Sequence, residues 1–269
     1  MASSLISIII LIFAILIIFP LGQLYTYASK EGLGIFFDRF MVPEARSAIW
    51  FTIEMGLATT GVNLFVGTAL AFVLYKSDIP FKRFLDALVD IPLAIPTIVI
   101  GFALLLLYGP EGWIGQFLQS SNIQILFSFP GILLAHIFFT IPFMVRNVGT
   151  ALEGLDPNLE RASKTLGASA IQTFIFVTLP AIKTGLIAGS VLTFSKSIGE
   201  FGATLMVSGN LIGKTQTGPL YIFSRFNTGD IEGASAIALI LAVFSFVVLF
   251  VLKYATSDRK EAVNLEQAH

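Results

Sequence analysis

Six stretches of the 269-residue chain are apolar for long enough to cross a bilayer, and they constrain everything else. A spanning helix needs about 20 mainly apolar residues. The runs go from about Leu5 to Tyr25, Ser47 to Tyr75, Leu85 to Tyr108, Ile125 to Val145, Ile182 to Val207 and Ala234 to Tyr254. Charged residues are only 12% of the chain against 55% hydrophobic, about half the charge that a water-facing surface requires. The expected fold class is all-α, a polytopic membrane protein with six transmembrane helices. Leu5 to Tyr25 lacks the basic start and small-residue cleavage site of a signal peptide, so it reads as a retained span.

Charge in the short loops orients the spans. One side holds Lys76, Lys82, Arg83, Arg146, Arg161, Lys164, Lys183, Lys253, Arg259 and Lys260. The other holds Lys30, Arg39, Arg46, Lys214 and Arg225, half as many. This places both termini in the cytoplasm of a multi-pass membrane protein. A net charge of −1 gives nucleic acid nothing to bind, and the lack of Cys excludes disulfides and thiolate metal sites.

The longest cytoplasmic connection runs from Arg146 to Ala181, too short to fold alone. Asp156 is a natural N-cap, Pro157 suits the first helical position, and Gly167 supplies a left-handed stop. Glu160 and Lys164 stand four apart in the favourable order for an ion pair, with Leu159, Ala162, Ser163 and Leu166 on the opposite face. Ser169 can cap a second helix over Ile171 to Phe176, and Leu179-Pro180 leads into the fifth run. A short two-faced helix under the membrane suits a groove on a soluble partner. The plainer alternative is an interfacial helix that only joins two spans.

Glu160, Ala162, Gly167 and Leu179-Pro180 resemble the EAA loop of ABC importer permeases, with Arg161 where a second small residue is usual. In that family the loop forms a coupling helix seated in a cleft of the ATPase. The resemblance thus assigns ATPase docking to Leu159, Glu160, Arg161, Ala162, Leu166 and Gly167. It covers about Ser47 to Tyr254 and implies a type I permease core over 47–254, with the coupling helix near 156–167. An N-terminal helix and external loop (1–46) precede the core, and a short cytoplasmic tail (255–269) follows. Ser195-Lys196-Ser197-Ile198-Gly199-Glu200-Phe201-Gly202-Ala203, running on to Ser208-Gly209-Asn210, is similar to permeases for molybdate, tungstate and sulfate. Lys196 stands where Arg is commoner. Asp90-Ile91-Pro92 through Pro96 and Gly101 resembles the third span of that group.

The resemblance implies a pore subunit of an ATP-driven oxyanion importer in a prokaryotic cell membrane. Molybdate or tungstate is the first expectation, and sulfate or thiosulfate the alternative. Two copies would form the pore as a homodimer, and an external binding protein would deliver the anion. Two cytoplasmic ABC ATPases would bind ATP and Mg, leaving this chain non-catalytic, with no cofactor or metal of its own. A secondary transporter would show internal repeats and an ion site. A membrane-embedded enzyme would need a nucleophile–base set or a metal cluster. Neither set of features is found in the sequence.

Ionisable groups at mid-span cost about 2.5–3.5 kcal/mol each on insertion scales. Lys196 and Glu200 lie four apart on one helix face, which allows two readings. They neutralise each other, or Lys196 borders the dianion's path while Glu200 holds the helix against a neighbour. Path candidates are Lys196, Ser197, Gly199, Glu200, Pro92 and Pro96, the prolines as kinks that free backbone carbonyls. His136 reads as a satisfied interhelical partner, and Asp86 and Asp90 as groups snorkelling at the mouth of the third run. Gly185 and Gly189 form a small-xxx-small contact. Gly209 to Thr215 imitates a P-loop with one residue too few between its glycines, so it binds no nucleotide.

Overall fold

Proline chemistry breaks the third apolar run in two. The pyrrolidine ring of Pro96 bars the helical region to the residue before it, and Ile95 is extended at φ −95°, ψ 132°. Helix α4 (Lys82–Ala94) therefore stops, and α5 (Thr97–Tyr108) leaves at 106° to it. The expected single kinked span is instead two helices. Pro92 is tolerated inside the last turn of α4, and Pro96 alone makes the break.

The computed structural model describes the backbone of residues 2–30 and 32–266, and the side chains of 5–30, 32 and 34–250. Lys253, Arg259 and Lys260, counted above for orientation, and the side chains of the tail 255–269 lie outside the described residues. Among the described residues, four unbroken helices are long and apolar enough to cross a membrane. They are α1 (Ala2–Ala28), α3 (Pro43–Lys76), α7 (Phe129–Glu153) and the Ile231–Phe250 part of α14 (Ile231–Glu266). Two bent pairs bring the number to six when each is counted as one span: α4 with α5, and Ala170–Ala181 with α11 (Lys183–Ile198), bent by 65°. The fifth run was expected to be continuous to Val207. It breaks instead at Gly199–Phe201 before a short α12 (Gly202–Val207).

The chain forms two compact units. The first comprises Met1–Phe51 and Asn210–Phe246. Its core joins Ala45, Ala48, Tyr221 and Ile237, drawn from the start of α3, from α13 (Gly218–Asn227) and from α14. From the last turn of α2 (Leu33–Met41), Arg39 reaches Asp230 at 3.4 Å, and Asp230 in turn accepts from the Gly233 N–H at the start of α14. Apolar side chains of α1 from Leu5 to Phe19 are exposed, as a lipid-facing helix requires.

The second unit comprises Thr52–Gly209 and Val247–His269. Helix α7 is its axis. Met144, Val145, Val148 and Leu152 pack with Ala71, Leu74 and Ile182 in one buried cluster. Gly185 and Gly189 do form the expected close contact: a Cβ at Gly185 would stand 2.6 Å from the Asn147 carbonyl oxygen, and one at Gly189 2.7 Å from Met144 Sδ. Helix α11 thus lies backbone-close on α7, the arrangement by which small residues replace the missing hydrophobic drive between helices in lipid.

Candidate functional site: a capped connecting helix and a lysine-lined cavity

The connection between α7 and α11 folds as its caps dictate. Helix α8 spans Pro157–Thr165, and the Asp156 side chain accepts from the Asn158 N–H at 2.9 Å. Gly167 closes it at φ +86°, a conformation that costs an L side chain about 1–2 kcal/mol. Ser169 and Gln172 form a reciprocal capping box on α9 (Ala170–Thr173). A wider π stretch over Phe174–Thr178 and the short α10 (Leu179–Ala181) carry the chain to α11.

Glu160 does not pair with Lys164 as the helical spacing predicts. Its carboxylate accepts from Lys76 Nζ at 2.9 Å and from Thr178 Oγ1 at 2.8 Å. Lys76 at the end of α3 presents a charge that tertiary contact makes closer than the i,i+4 neighbour. Burial pushes this carboxyl up, but the hydrogen bonds from Lys76 and Thr178 and the nearby lysine charges outweigh it, and the group is held below the usual carboxylate range. Ser163 also turns inward, 3.1 Å from Thr173 Oγ1, rather than sharing the leucine face. What remains outward is Leu159, Arg161, Ala162, Leu166 and Gly167, with Leu166 88% exposed. One side of α8 is bolted to the membrane domain, and the other is bare and partly apolar.

Deeper in the same unit, the two helix breaks face a common cavity of about 490 Å³. Pro92, Pro96 and Thr97 line it from the α4–α5 break, and Ser195, Lys196, Gly199 and Glu200 from the α11–α12 break. Lys196 is exposed to it and makes no ion pair among the described residues. Its ammonium stands 5.9 Å from the centre of the Phe143 ring. Glu200, 7% exposed, is not Lys196's partner: its Oε1 accepts from the Ala203 N–H at 2.7 Å, and Gly202 N–H and the Thr97 side chain also bond it. The carboxylate caps α12 and ties it to α5, satisfying orphan amides that a buried helix start cannot leave unpaired. Ser195 Oγ has no hydrogen-bond partner. Ser197 points away from the cavity: its hydroxyl lies 2.7 Å from His136 Nδ1, while His136 Nε2 lies 2.8 Å from Thr204 Oγ1.

Residues 63–261 match the family described as binding-protein-dependent transport system inner membrane component. The chain belongs to that family. It is an ABC importer permease subunit of type I. Among its relatives, the sulfate transport system permease protein CysW of Synechococcus elongatus is 39% identical over 246 residues, covering 91% of this chain and 86% of that one. The sulfate transport system permease protein CysT of Salmonella typhimurium is 36% identical over 241 residues, covering 90% and 87%. A solved bacterial alginate ABC transporter, in complex with a periplasmic protein bound to alginate pentasaccharide, shares the fold. Its TM-score is 0.75 at 17% identity, over 96% of this chain and 94% of that one.

The permease also holds a charge cluster that sequence reasoning missed. Asp86 and Asp90 do not snorkel freely. Arg146 of α7 grips Asp90 through Nε at 2.9 Å and Nη2 at 2.6 Å, and it bonds both Asp86 Oδ1 and the Tyr75 hydroxyl through Nη1. Two carboxylates at i and i+4 repel each other on a helix. That spacing was itself the available signal that a cation must sit between them. In the P-loop imitation, the Asn210 side chain accepts from Gln216 and donates to Ser224 of α13.

Proposed function

We propose that this permease imports sulfate, as one half of a pore driven by two separate ABC ATPases and supplied by an external binding protein. The likeness to named sulfate permeases over about nine-tenths of the chain carries the reading. It favours the sulfate alternative over the molybdate or tungstate expectation drawn from the Gly-Glu-Phe-Gly segment. The chain is almost equally similar to CysW and CysT of Synechococcus elongatus, 39% and 38% identical. That symmetry supports a homodimeric pore, since a chain specialised as one sister would resemble that sister more. ATP and Mg belong to the ATPase partners, and this chain carries no cofactor and no catalysis of its own.

In this reading the bare face of α8 seats in the ATPase, while Glu160 transmits its movement to α3 and to the π stretch below α11. Beside a Ser195 hydroxyl that is buried and unpartnered among the described residues, Lys196 offers a positive charge to a tetrahedral dianion. Glu200 does not repel it, because its charge is spent on the α12 amides. The test is proteoliposomes holding the permease, its ATPase and its binding protein, assayed with radiolabelled sulfate and with molybdate. ATP-driven sulfate uptake that molybdate inhibits only in excess is expected. Preferential molybdate uptake would overturn the sulfate reading.

Orientation has its own check. With both termini cytoplasmic, single Cys probes at Gln119 in α6 (Trp113–Ser120) and at Ala162, both exposed, should label from opposite sides of sealed membranes. Labelling of both from one side would refute the arrangement.

A further inference from the structure

One imidazole meets both flanks of the break in the fifth run. His136 is 1% exposed in α7. Its Nδ1 contacts Ser197, near the end of α11, and its Nε2 contacts Thr204, inside α12. Between those two residues lie Gly199 and Glu200, which face the cavity. A glycine at the break leaves the backbone many conformations. A rigid ring bonded on either side removes most of them, because its two nitrogens are fixed in distance and direction.

The proton positions follow from the neighbours. With the Ser197 hydroxyl donating to Thr59 Oγ1 at 3.4 Å, its oxygen presents a lone pair to His136, and the matching tautomer donates from Nδ1. Nε2 is then bare and accepts the Thr204 hydroxyl proton. A neutral imidazole with one donor and one acceptor satisfies both half-helices at once. Other close contacts hold one half at a time. Gly185 and Gly189 seat α11 on α7, and a Cβ at Gly101 of α5 would stand 2.6 Å from the Ala203 backbone of α12. His136 joins the halves to each other. Lys196 immediately precedes the anchored Ser197, with its own side chain on the cavity side.

We infer that His136 is a positioning residue of the transport path. By stapling Ser197 to Thr204 it sets where Ser195, Lys196 and Gly199 stand opposite Pro96 and Thr97. The inference rests on the reading of this cavity as the path, and its test separates the two. Ser195→Cys supplies a reporter, since the chain has no other Cys and Ser195 lines the cavity. Its rate of reaction with a small charged thiol reagent is measured in the assembled complex. The parent is compared with Thr204→Val, His136→Leu and His136→Gln. Thr204→Val keeps the shape and removes one bond. His136→Leu removes both, and the Gln amide restores a donor and an acceptor.

The rate should change about tenfold in Thr204→Val and His136→Leu, with His136→Gln between them and the parent, as expected for a lost buried hydrogen bond. Maximal sulfate uptake should fall while the binding-protein concentration for half-maximal uptake stays constant. Unchanged labelling in assembled Thr204→Val and His136→Gln overturns the inference, even where His136→Leu fails to assemble. A shifted reporter in a complex that moves no sulfate supports the inference and removes the sulfate reading.

Discussion

Lys196→Gln lowers ATP-driven sulfate uptake about 10- to 100-fold, a barrier increase of about 1.4–2.8 kcal/mol, while leaving assembly intact. The bare attraction between a dianion and an ammonium about 5 Å apart is about 6–7 kcal/mol at an effective dielectric of about 20. Desolvation of both charges and the open face of the cavity reduce what is realised. A stronger site would also trap its cargo, since a conduit needs binding weak enough to release. The geometry simplifies the experiment. Lys196 has no carboxylate partner among the described residues, and the Glu200 carboxylate is occupied by Ala203, Gly202 and Thr97. A single substitution therefore leaves the Glu200 carboxylate with its hydrogen bonds and removes only the longer-range attraction of the lysine. Uptake is measured in proteoliposomes after confirming that ATPase subunits co-purify in normal amount. Wild-type uptake by Lys196→Gln would reduce the lysine to a packing role against Phe143.

The second large effect is expected at the end of α8, where ATPase docking is proposed. Gly167→Val forces a β-branched side chain into φ +86°, and although nothing lies within 4 Å of that Cβ, the backbone must leave the left-handed region. Doing so turns Leu166, the most exposed apolar residue of the loop, away from its present direction. Leu166→Glu attacks the same surface without backbone strain by placing a charge where an apolar contact is proposed. Both variants should insert normally and lose most of their ATPase subunits on purification, with transport falling in proportion. Gly167→Ala should fall between them and the parent. Stoichiometric complexes with full transport in Leu166→Glu would show that the bare face of α8 is not the docking surface.

Local rules served well where a residue's partner lay within a few positions in the chain. Asp156, Pro157, Gly167 and Ser169 each do what their spacing predicts, because caps and stops are satisfied by neighbouring amides. The same rules failed for Glu160. A helical i,i+4 ion pair is worth only a few tenths of a kcal/mol, so Lys76, brought in by α3, displaces Lys164 without difficulty. Asp86 and Asp90 failed for a related reason: their partner Arg146 lies 56 residues beyond Asp90 and meets them only after α4 folds against α7.

The apolar runs were enough to establish an all-helical membrane protein, and the caps were enough to locate the short helix α8. Each depends on one-dimensional quantities: how long a segment must be to cross lipid, and which side chain can reach the next turn. The tertiary structure alone decided how the expensive residues are used. Pro96 could have bent one span or divided it, and Lys196 with Glu200 could have been a pair or two separate devices. Packing against α5 and α7 settled both, because a buried charge goes to whichever hydrogen-bond donors the fold brings nearest. For Glu200 those donors are the amides of α12, which leaves the lysine free to face the cavity.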